Sequence, residues 1–435
     1  DTGNKLKKKL NSKHNDEISS DSETEGPAVH RKRRANVEEE FDETPQEKKL
    51  RLAKLYLDQL RDEEEKKAEE ESFETDLIAG RLQEEVLEQK GKLQRMVAKD
   101  LLPPDASEIC LLRGHKLPVT CLVISPDDKH IFSAAKDCSI IKWDVENGKR
   151  LHTIAGGRKG TEDRHVGHTA HVLCISISSD GKYLATGDMN KLIMIWEAAT
   201  CKHLYKFTGH RGPVSVSSSC FKMCGTWTKT PIFGHQDVIT GLDSGSRERC
   251  VTAGGRDRTV RVWKISEESQ LVFHGHEGSI DCIQLINEEH MITGADDGSV
   301  SLWSVNKKKP LSTVKAAHGR HGDSGLEQPY WVAAVAALQN SDTVASGSHN
   351  SKVQLWKCGQ GFRHLEPLFS IPVTGFVNSL KFSSSGKFLV AGVGQEHRLG
   401  RWWRQKEAKN GLYIIPLKRQ QPEQEEVQNG EENGV

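Results

Sequence analysis

The chain has 435 residues, and its 61 Lys/Arg balance 61 Asp/Glu, so the formal net charge is zero while only 35% of residues are hydrophobic. That hydrophobic share lies below the ordinary globular one, and the deficit is local: residues 1–100 hold 21 Lys/Arg, 26 Asp/Glu and no tryptophan, whereas all nine tryptophans follow. No apolar run approaches the roughly 18–20 residues of a membrane span, none near the start reads as a signal peptide, and ten cysteines lack any C-x-x-C pair, which counts against secretion, membrane insertion and a Cys-based metal fold.

Residues 1–43 read as a disordered leader with two basic clusters. Lys5, Lys7, Lys8 and Lys9 form the first, and Arg31, Lys32, Arg33 and Arg34 the second; both are nuclear-import candidates. Ser19, Ser20 and Ser22 stand just ahead of acids and are candidates for an acidophilic kinase. Because residue 1 is Asp rather than Met, a natural start further upstream is expected. A helical region is expected over 44–104. Thr44-Pro45-Gln46-Glu47 has the form of a capping box with Pro at the first helical position. Leu50, Ala53, Leu57 and Leu60 follow at helical spacing, and a second stretch runs through Ile78, Leu82, Val86, Leu93 and Met96 or Val97, with Gly80 and Gly91 as weak points. Such helices have no core of their own and dock either on the domain that follows or on a partner. The tail, 418–435, is acidic and expected to be disordered.

Between helices and tail the sequence repeats itself. Gly-His pairs end at His115, His168, His210, His235 and His276, with Ala317-His318 a near match. Trp143, Trp196 and Trp263 each follow their histidine by 28 residues, Trp303 by 27 and Trp356 by 38. Six residues ahead of each Trp stands a polar turn residue: Asp137, Asn190, Asp257, Asp297, Asn350, and Glu396 before Trp402. Runs such as Thr259-Val260-Arg261-Val262-Trp263 read as strands, and the Gly/Asp/Ser clusters between them as tight turns.

This pattern resembles that of a WD40 β-propeller over residues 108–417, an all-β ring in which four-stranded blades bury one another's faces. The resemblance implies a buried network of His, Ser/Thr, Asp and Trp in each blade. It maps onto His115, Ser133, Asp137 and Trp143; onto His168, Thr186 and Trp196; onto His235, Asp257 and Trp263; onto His276, Thr293, Asp297 and Trp303; and onto Trp356. Asn190, Asn350 and Glu396 depart from Asp, so weaker networks are expected there. His210 to His235 is only 25 residues against neighbouring spacings of 42 and 41, so the third of seven repeats is expected to be truncated, with Val214-Ser215-Val216 as its inner strand.

No Walker loop, nucleophile elbow or His-Glu metal pairing occurs, so no enzyme, cofactor, metal or catalytic residue is expected. Charge is more informative. Residues 101–417 hold 38 Lys/Arg and 30 Asp/Glu. Lys136, Arg158, Lys159, Arg164, Arg256, Arg258, Arg320 and Arg398 lie in turns and inter-blade loops that a propeller places on one face. They are the candidate contacts for an RNA backbone, with Tyr330, Trp331 or histidines available for stacking.

Three segments carry a closer likeness: Gln46 to Leu57, Ala134 to Trp143, and Val390 to Trp403. In these the chain resembles the U3 small nucleolar RNA-interacting WD-repeat family. The resemblance implies an RNA-binding scaffold of the U3 ribonucleoprotein in the nucleus and nucleolus, acting in early pre-rRNA processing to 18S rRNA. It implies as partners U3 small nucleolar RNA, a kink-turn-binding protein and other box C/D proteins, and small-subunit processome proteins, with no membrane. The competing expectation is a ubiquitin-ligase substrate adaptor or a protein-only scaffold. Against the adaptor, Trp143-Asp144-Val145-Glu146 puts Glu where a ligase-docking Arg would stand.

Overall fold

The computed structural model describes residues 45–67, 75–90, 93–158, 160, 165–209, 213–215, 234–245, 249–323 and 325–420. The leader, with its basic clusters and serines, and the tail beyond 420 lie outside them, as do Lys159 and Arg164. The chain divides into two units, residues 1–78 and 79–435. In the first, α1 (Pro45–Lys67) begins on a proline, whose fixed φ and missing N–H suit a first helical turn. Its Leu50, Leu52 and Leu55 side chains are exposed. The helix α2 (Thr75–Gln89) crosses the boundary between the units.

The second helical stretch expected from the sequence ends early. Leu93 and Val97 are buried, yet not on a helix. Residues 93–97 are not helical because their backbone pairs with a blade, and 98–100 close a turn in which the Asp100 amide donates to the Val97 carbonyl. The Arg95 amide donates to the Asn340 carbonyl at 2.8 Å, and the amides of Val97 and Ala98 both reach Asp342 Oδ1, at 2.8 and 3.0 Å. This strap continues into Leu101–Leu102, which pairs with Lys418–Arg419, so the two ends of the ring domain are tied to each other.

The ring is built from four-stranded antiparallel sheets, in which most inner strands are buried on both faces and outer strands such as Arg150–Ile154 and His203–Phe207 are largely exposed. Blade one comprises Val119–Ile124, His130–Ala135, Ile140–Asp144 and Arg150–Ile154. Blade two comprises Val172–Ile177, Tyr183–Asp188, Ile193–Glu197 and His203–Phe207. Blade three comprises Ile239–Ser244, Arg249–Gly254, Thr259–Lys264 and Ser269–His274. Blade four comprises Ile280–Leu285, His290–Ala295, Val300–Ser304 and Ser312–Val314. Blade five comprises Val332–Ala337, Thr343–Ser348, Lys352–Cys358 and Leu365–Pro372. Blade six takes Phe376–Phe382, Phe388–Gly394 and Gly411–Pro416, and borrows Cys110–Leu112 from the start of the domain as its outer strand. That borrowed strand closes the ring noncovalently and removes an open sheet edge.

Among the described residues there are thus six four-stranded blades rather than seven. Of the expected third repeat, residues 213–215 are described, as extended chain beside blade two. The Val214 amide donates to the Asp188 carbonyl at 3.1 Å, and Ser215 Oγ donates to the Ile239 carbonyl of blade three at 2.5 Å. Blade faces meet closely at these junctions. A Cβ on Gly187 would come within 2.6 Å of Val214, and one on Gly294 within 2.5 Å of Val332, so glycine is what lets one blade seat against the next inner strand.

Candidate nucleic-acid interface

In an antiparallel blade the turn joining the second and third strands opens on the same face as the connection to the next blade. That face therefore collects the sequence-predicted site residues. Beneath it lie the polar networks. In blade one Ser133 Oγ sits 2.7 Å from His115 Nε2 and accepts from Trp143 Nε1 at 2.8 Å, while Asp137 Oδ1 is 3.5 Å from His115 Nδ1. Burial alone would raise the Asp137 carboxyl, but hydrogen bonds from His115 and Ser139 hold it well below the usual range. In blade three His235 meets Asp257 at 2.5 Å and Thr252 at 2.7 Å, and Trp263 donates to Thr252 at 2.8 Å. In blade four His276 meets Thr293 at 2.6 Å and Trp303 donates to the same oxygen at 2.8 Å. There Asp297 accepts instead from the backbone amides of Ser299 and Gly278. Blade five uses Ser346 between His318 and Trp356, both at 2.8 Å, with Asn350 Oδ1 3.2 Å from the histidine.

Blade two corrects the expectation of a weak network. His168 and Thr186 meet at 2.7 Å and Trp196 donates to Thr186 at 2.9 Å, but the acid is not at position 190. Asp188, two residues earlier and fully buried, lies 2.9 Å from His168 Nδ1 and accepts the Leu192 amide at 3.0 Å. Asn190 is exposed and reaches only Thr169. The network is complete; the carboxylate has moved from the turn into the strand.

Blade six departs from the repeat. Trp402 does not close a strand, since the third strand is Gly411–Pro416 and the tryptophan lies in the long loop 395–410 before it. Glu396 is correspondingly not a network acid. It is buried and takes Lys136 Nζ at 3.0 Å on one oxygen and Arg401 Nε at 2.9 Å on the other. Lys136 also reaches the Gly400 carbonyl at 3.4 Å. Lys136 is therefore withdrawn from the rim expected for it, because its ammonium is neutralised inside by a partner from the neighbouring blade. Arg398 is withdrawn too, buried toward the ring's central channel with its guanidinium on the carbonyls of Thr240 and Asp281.

The other cation candidates described are exposed: Arg158, Arg256, Arg258 and Arg320. Arg258 reaches the Glu277 carbonyl at 3.2 Å, and Arg320 opens a short hairpin, Arg320–His321 paired with Gln328–Pro329.

Sequence reasoning named Tyr330, Trp331 and histidines for stacking but missed the part that Trp402 and Trp403 take in the densest feature of this face. Around loop 395–410 an aromatic cluster gathers: His321, Tyr330 and Trp331 from the connection between blades four and five, His349 from the turn of blade five, Phe376 from the first strand of blade six, and His397, Trp402 and Trp403 from the loop itself. Trp331 lies 4.9 Å from Trp403 and 5.7 Å from Trp402 between ring centres, and His349 stacks on Trp403 at 5.1 Å and on Phe376 at 5.4 Å. Burial holds His349 down to about 4 and, helped by the adjacent Arg398, His397 down to about 3, so both rings are neutral at neutral pH. Trp402 remains 58% exposed and Trp403 37%, flanked by exposed Arg401 and Arg404. The signal was available in Arg401-Trp402-Trp403-Arg404. Two adjacent tryptophans point to opposite faces of a strand, so they cannot both fill one blade interior. The arrangement can do two things chemically: stack on flat rings and attract phosphate. Among the described residues no group of three His, Cys, Asp or Glu is placed to hold a metal ion.

Residues 106–144, 161–197, 225–264 and 267–304 match the family model of the WD domain, G-beta repeat. The chain is 61% identical over 433 residues to the mouse U3 small nucleolar RNA-interacting protein 2, covering 95% of this chain and 90% of the relative. It is 28% identical to the ribosomal RNA-processing protein 9 of Saccharomyces cerevisiae, over 86% of this chain and 90% of the yeast protein. The solved structure of U3-55K superposes with a TM-score of 0.68 at 61% identity, covering 72% of this chain and 99% of that one. A propeller with this ring closure and this degree of identity along nearly its whole length belongs to the family of U3 small nucleolar RNA-interacting WD-repeat proteins.

Proposed function

We propose that the chain is an RNA-binding scaffold of the U3 small nucleolar ribonucleoprotein, without a reaction of its own. In this reading it holds U3 RNA beside a kink-turn-binding protein in the nucleolus and supports the early cleavages that lead to 18S rRNA. Its relatives' names, U3 RNA-interacting and ribosomal RNA-processing, support the setting. The observation that carries the reading is local: an exposed Trp402–Trp403 pair between Arg401 and Arg404, on the face that also presents Arg158, Arg256, Arg258 and Arg320. Stacking rings beside guanidinium groups suit unpaired bases and their phosphates better than they suit a protein groove. We also read the ring as seven angular positions with the third reduced, since Val214 and Ser215 make the contacts that Val332 and Thr240 make at complete junctions.

Crosslinking in cells followed by RNA sequencing tests the assignment. Recovery of U3 supports it, whereas ligase subunits without RNA would replace it by the adaptor reading. In vitro, Trp402→Ala with Trp403→Ala is expected to cost about 1–3 kcal/mol per stacked base while leaving the melting temperature near wild type. Unchanged affinity for transcribed U3 RNA in the double variant would remove the stacking role.

A further inference from the structure

Arg398, in the aromatic loop, turns its side chain away from the exposed face. It lines the central channel, a cavity of about 590 Å³, and its guanidinium crosses to the far side of the ring. There it donates to the Thr240 carbonyl of blade three at 3.2 Å and the Asp281 carbonyl of blade four at 2.8 Å. Its own amide is held by Asn378 Oδ1 at 2.9 Å, and the same Asn378 donates to Val119 of blade one and to the Glu396 carbonyl. The residue before it, His397, faces the other way and packs 5.4 Å from Trp402. One short segment thus joins blades one, three, four and six and fixes the base of the tryptophan pair.

The identity of the side chain matters. Burying a cation is costly, and an apolar side chain would occupy the channel wall without that cost. A planar guanidinium offers what an apolar group cannot, fixed donor directions to two carbonyls at once. Thr240 also directly follows Ile239, the residue that receives Ser215 from the reduced third position. The brace therefore ends on the strand beside the weakest junction of the ring.

We propose that Arg398 is a positioning residue: by bracing loop 395–410 across the channel against blades three and four, it sets the orientation in which Trp402 and Trp403 meet RNA. This rests on the RNA reading above for its ligand, but the orientation itself can be measured without RNA. The full chain labelled with 5-fluorotryptophan, with the two loop signals assigned from Trp402→Phe and Trp403→Phe, is compared with Arg398→Met and Arg398→Lys. The expected result is that the signals of Trp402 and Trp403 shift or broaden in Arg398→Met while those of Trp143, Trp263, Trp303 and Trp356 stay in place. Affinity for transcribed U3 RNA then falls tenfold or more at a temperature well below melting. Lysine, which keeps the charge but not the planar fork, restores less than half of the lost affinity on a logarithmic scale.

Unmoved loop signals in Arg398→Met overturn the proposal. So does a shift in those signals with RNA affinity within twofold of wild type, because orientation would then not matter for binding. If the methionine variant does not fold, the lysine variant is judged by the same two readouts. Wild-type chain that fails to bind the transcript sinks the RNA reading instead, and the fluorine spectra still decide whether Arg398 orients the loop.

Discussion

Asp188 and Asn190 offer a sharp test of how blade two is held. Asp188→Ala removes the acceptor of two buried donors, His168 Nδ1–H and the Leu192 amide, at 2.9 and 3.0 Å. Each buried donor left without a partner costs about 1–3 kcal/mol, so the substitution should destabilise the ring by about 2–6 kcal/mol. Asp188→Asn should cost less, because an amide oxygen still receives the imidazole; blade five already works this way, with Asn350 beside His318. Asn190→Ala, at an exposed position with one side-chain contact to Thr169, should stay within about 0.5 kcal/mol of wild type. Urea denaturation gives the midpoints, and hydrogen exchange of the blade-two amides localises the loss. If Asn190→Ala weakens the protein as much as Asp188→Ala, the carboxylate at 188 is not the network acid and the assignment is wrong.

Acid should weaken the ring in a defined window. Burial holds His318 near 4 and, with Arg398, His397 near 3, against about 6.5 in an unfolded chain. A folded pKa below the unfolded one means stability present above pH 6.5 and lost as pH falls, about 2 kcal/mol per histidine between pH 7 and 5. Asp281, pushed up to about 6 by burial, works in the opposite direction and returns about 1 kcal/mol over the same interval, leaving a net loss of about 2–3 kcal/mol from these three groups. A urea midpoint at pH 5 equal to that at pH 7 would contradict this balance. Separately, Arg158→Glu with Lys159→Glu should weaken association with transcribed U3 RNA and flatten its salt dependence, by about two in the logarithmic slope, with little change in melting temperature. Parallel salt titrations for variant and wild type would remove that loop from the interface.

The parts of this fold that were legible are those that repeat. A His and a Trp recur because both must reach the same Ser or Thr oxygen, and that contact holds from His115 to Trp356 even where the spacing stretches to 38 residues in blade five. Spacing alone could not locate the acid in blade two, since the imidazole can be met from the turn, as by Asp257, or from the strand, as by Asp188. It also misplaced Trp402, because six residues after Glu396 was the right distance for the wrong reason. The strand that belongs there, Gly411–Pro416, carries no tryptophan. Charge counting pointed to this face but could not separate exposed Arg258 from buried Lys136 and Arg398. All three sit beside a turn, and partners in other blades decide which is drawn inward: Glu396 for Lys136, the carbonyls of Thr240 and Asp281 for Arg398.

These failures share a physical origin. In a propeller the repeated residues satisfy one another within a blade, so they record the scaffold and are silent about ligands. Binding chemistry has to come from residues that the repeat does not consume, and the face proposed here to bind RNA holds such residues: an overlong loop in blade six, a hairpin after blade four, histidines stripped of charge by burial. The same argument bears on the reduced third position proposed above. Each blade is held mainly by its two neighbours, through contacts such as Ser215 on Ile239 and Thr240 on Ile280, so a deficit at one junction need not propagate round the ring. What it does threaten is any element that spans the ring, and the loop bearing Trp402 and Trp403, anchored through Arg398 to blades three and four, is such an element. Loop 395–410 is therefore expected to sense damage at the proposed third position before the distant blades do.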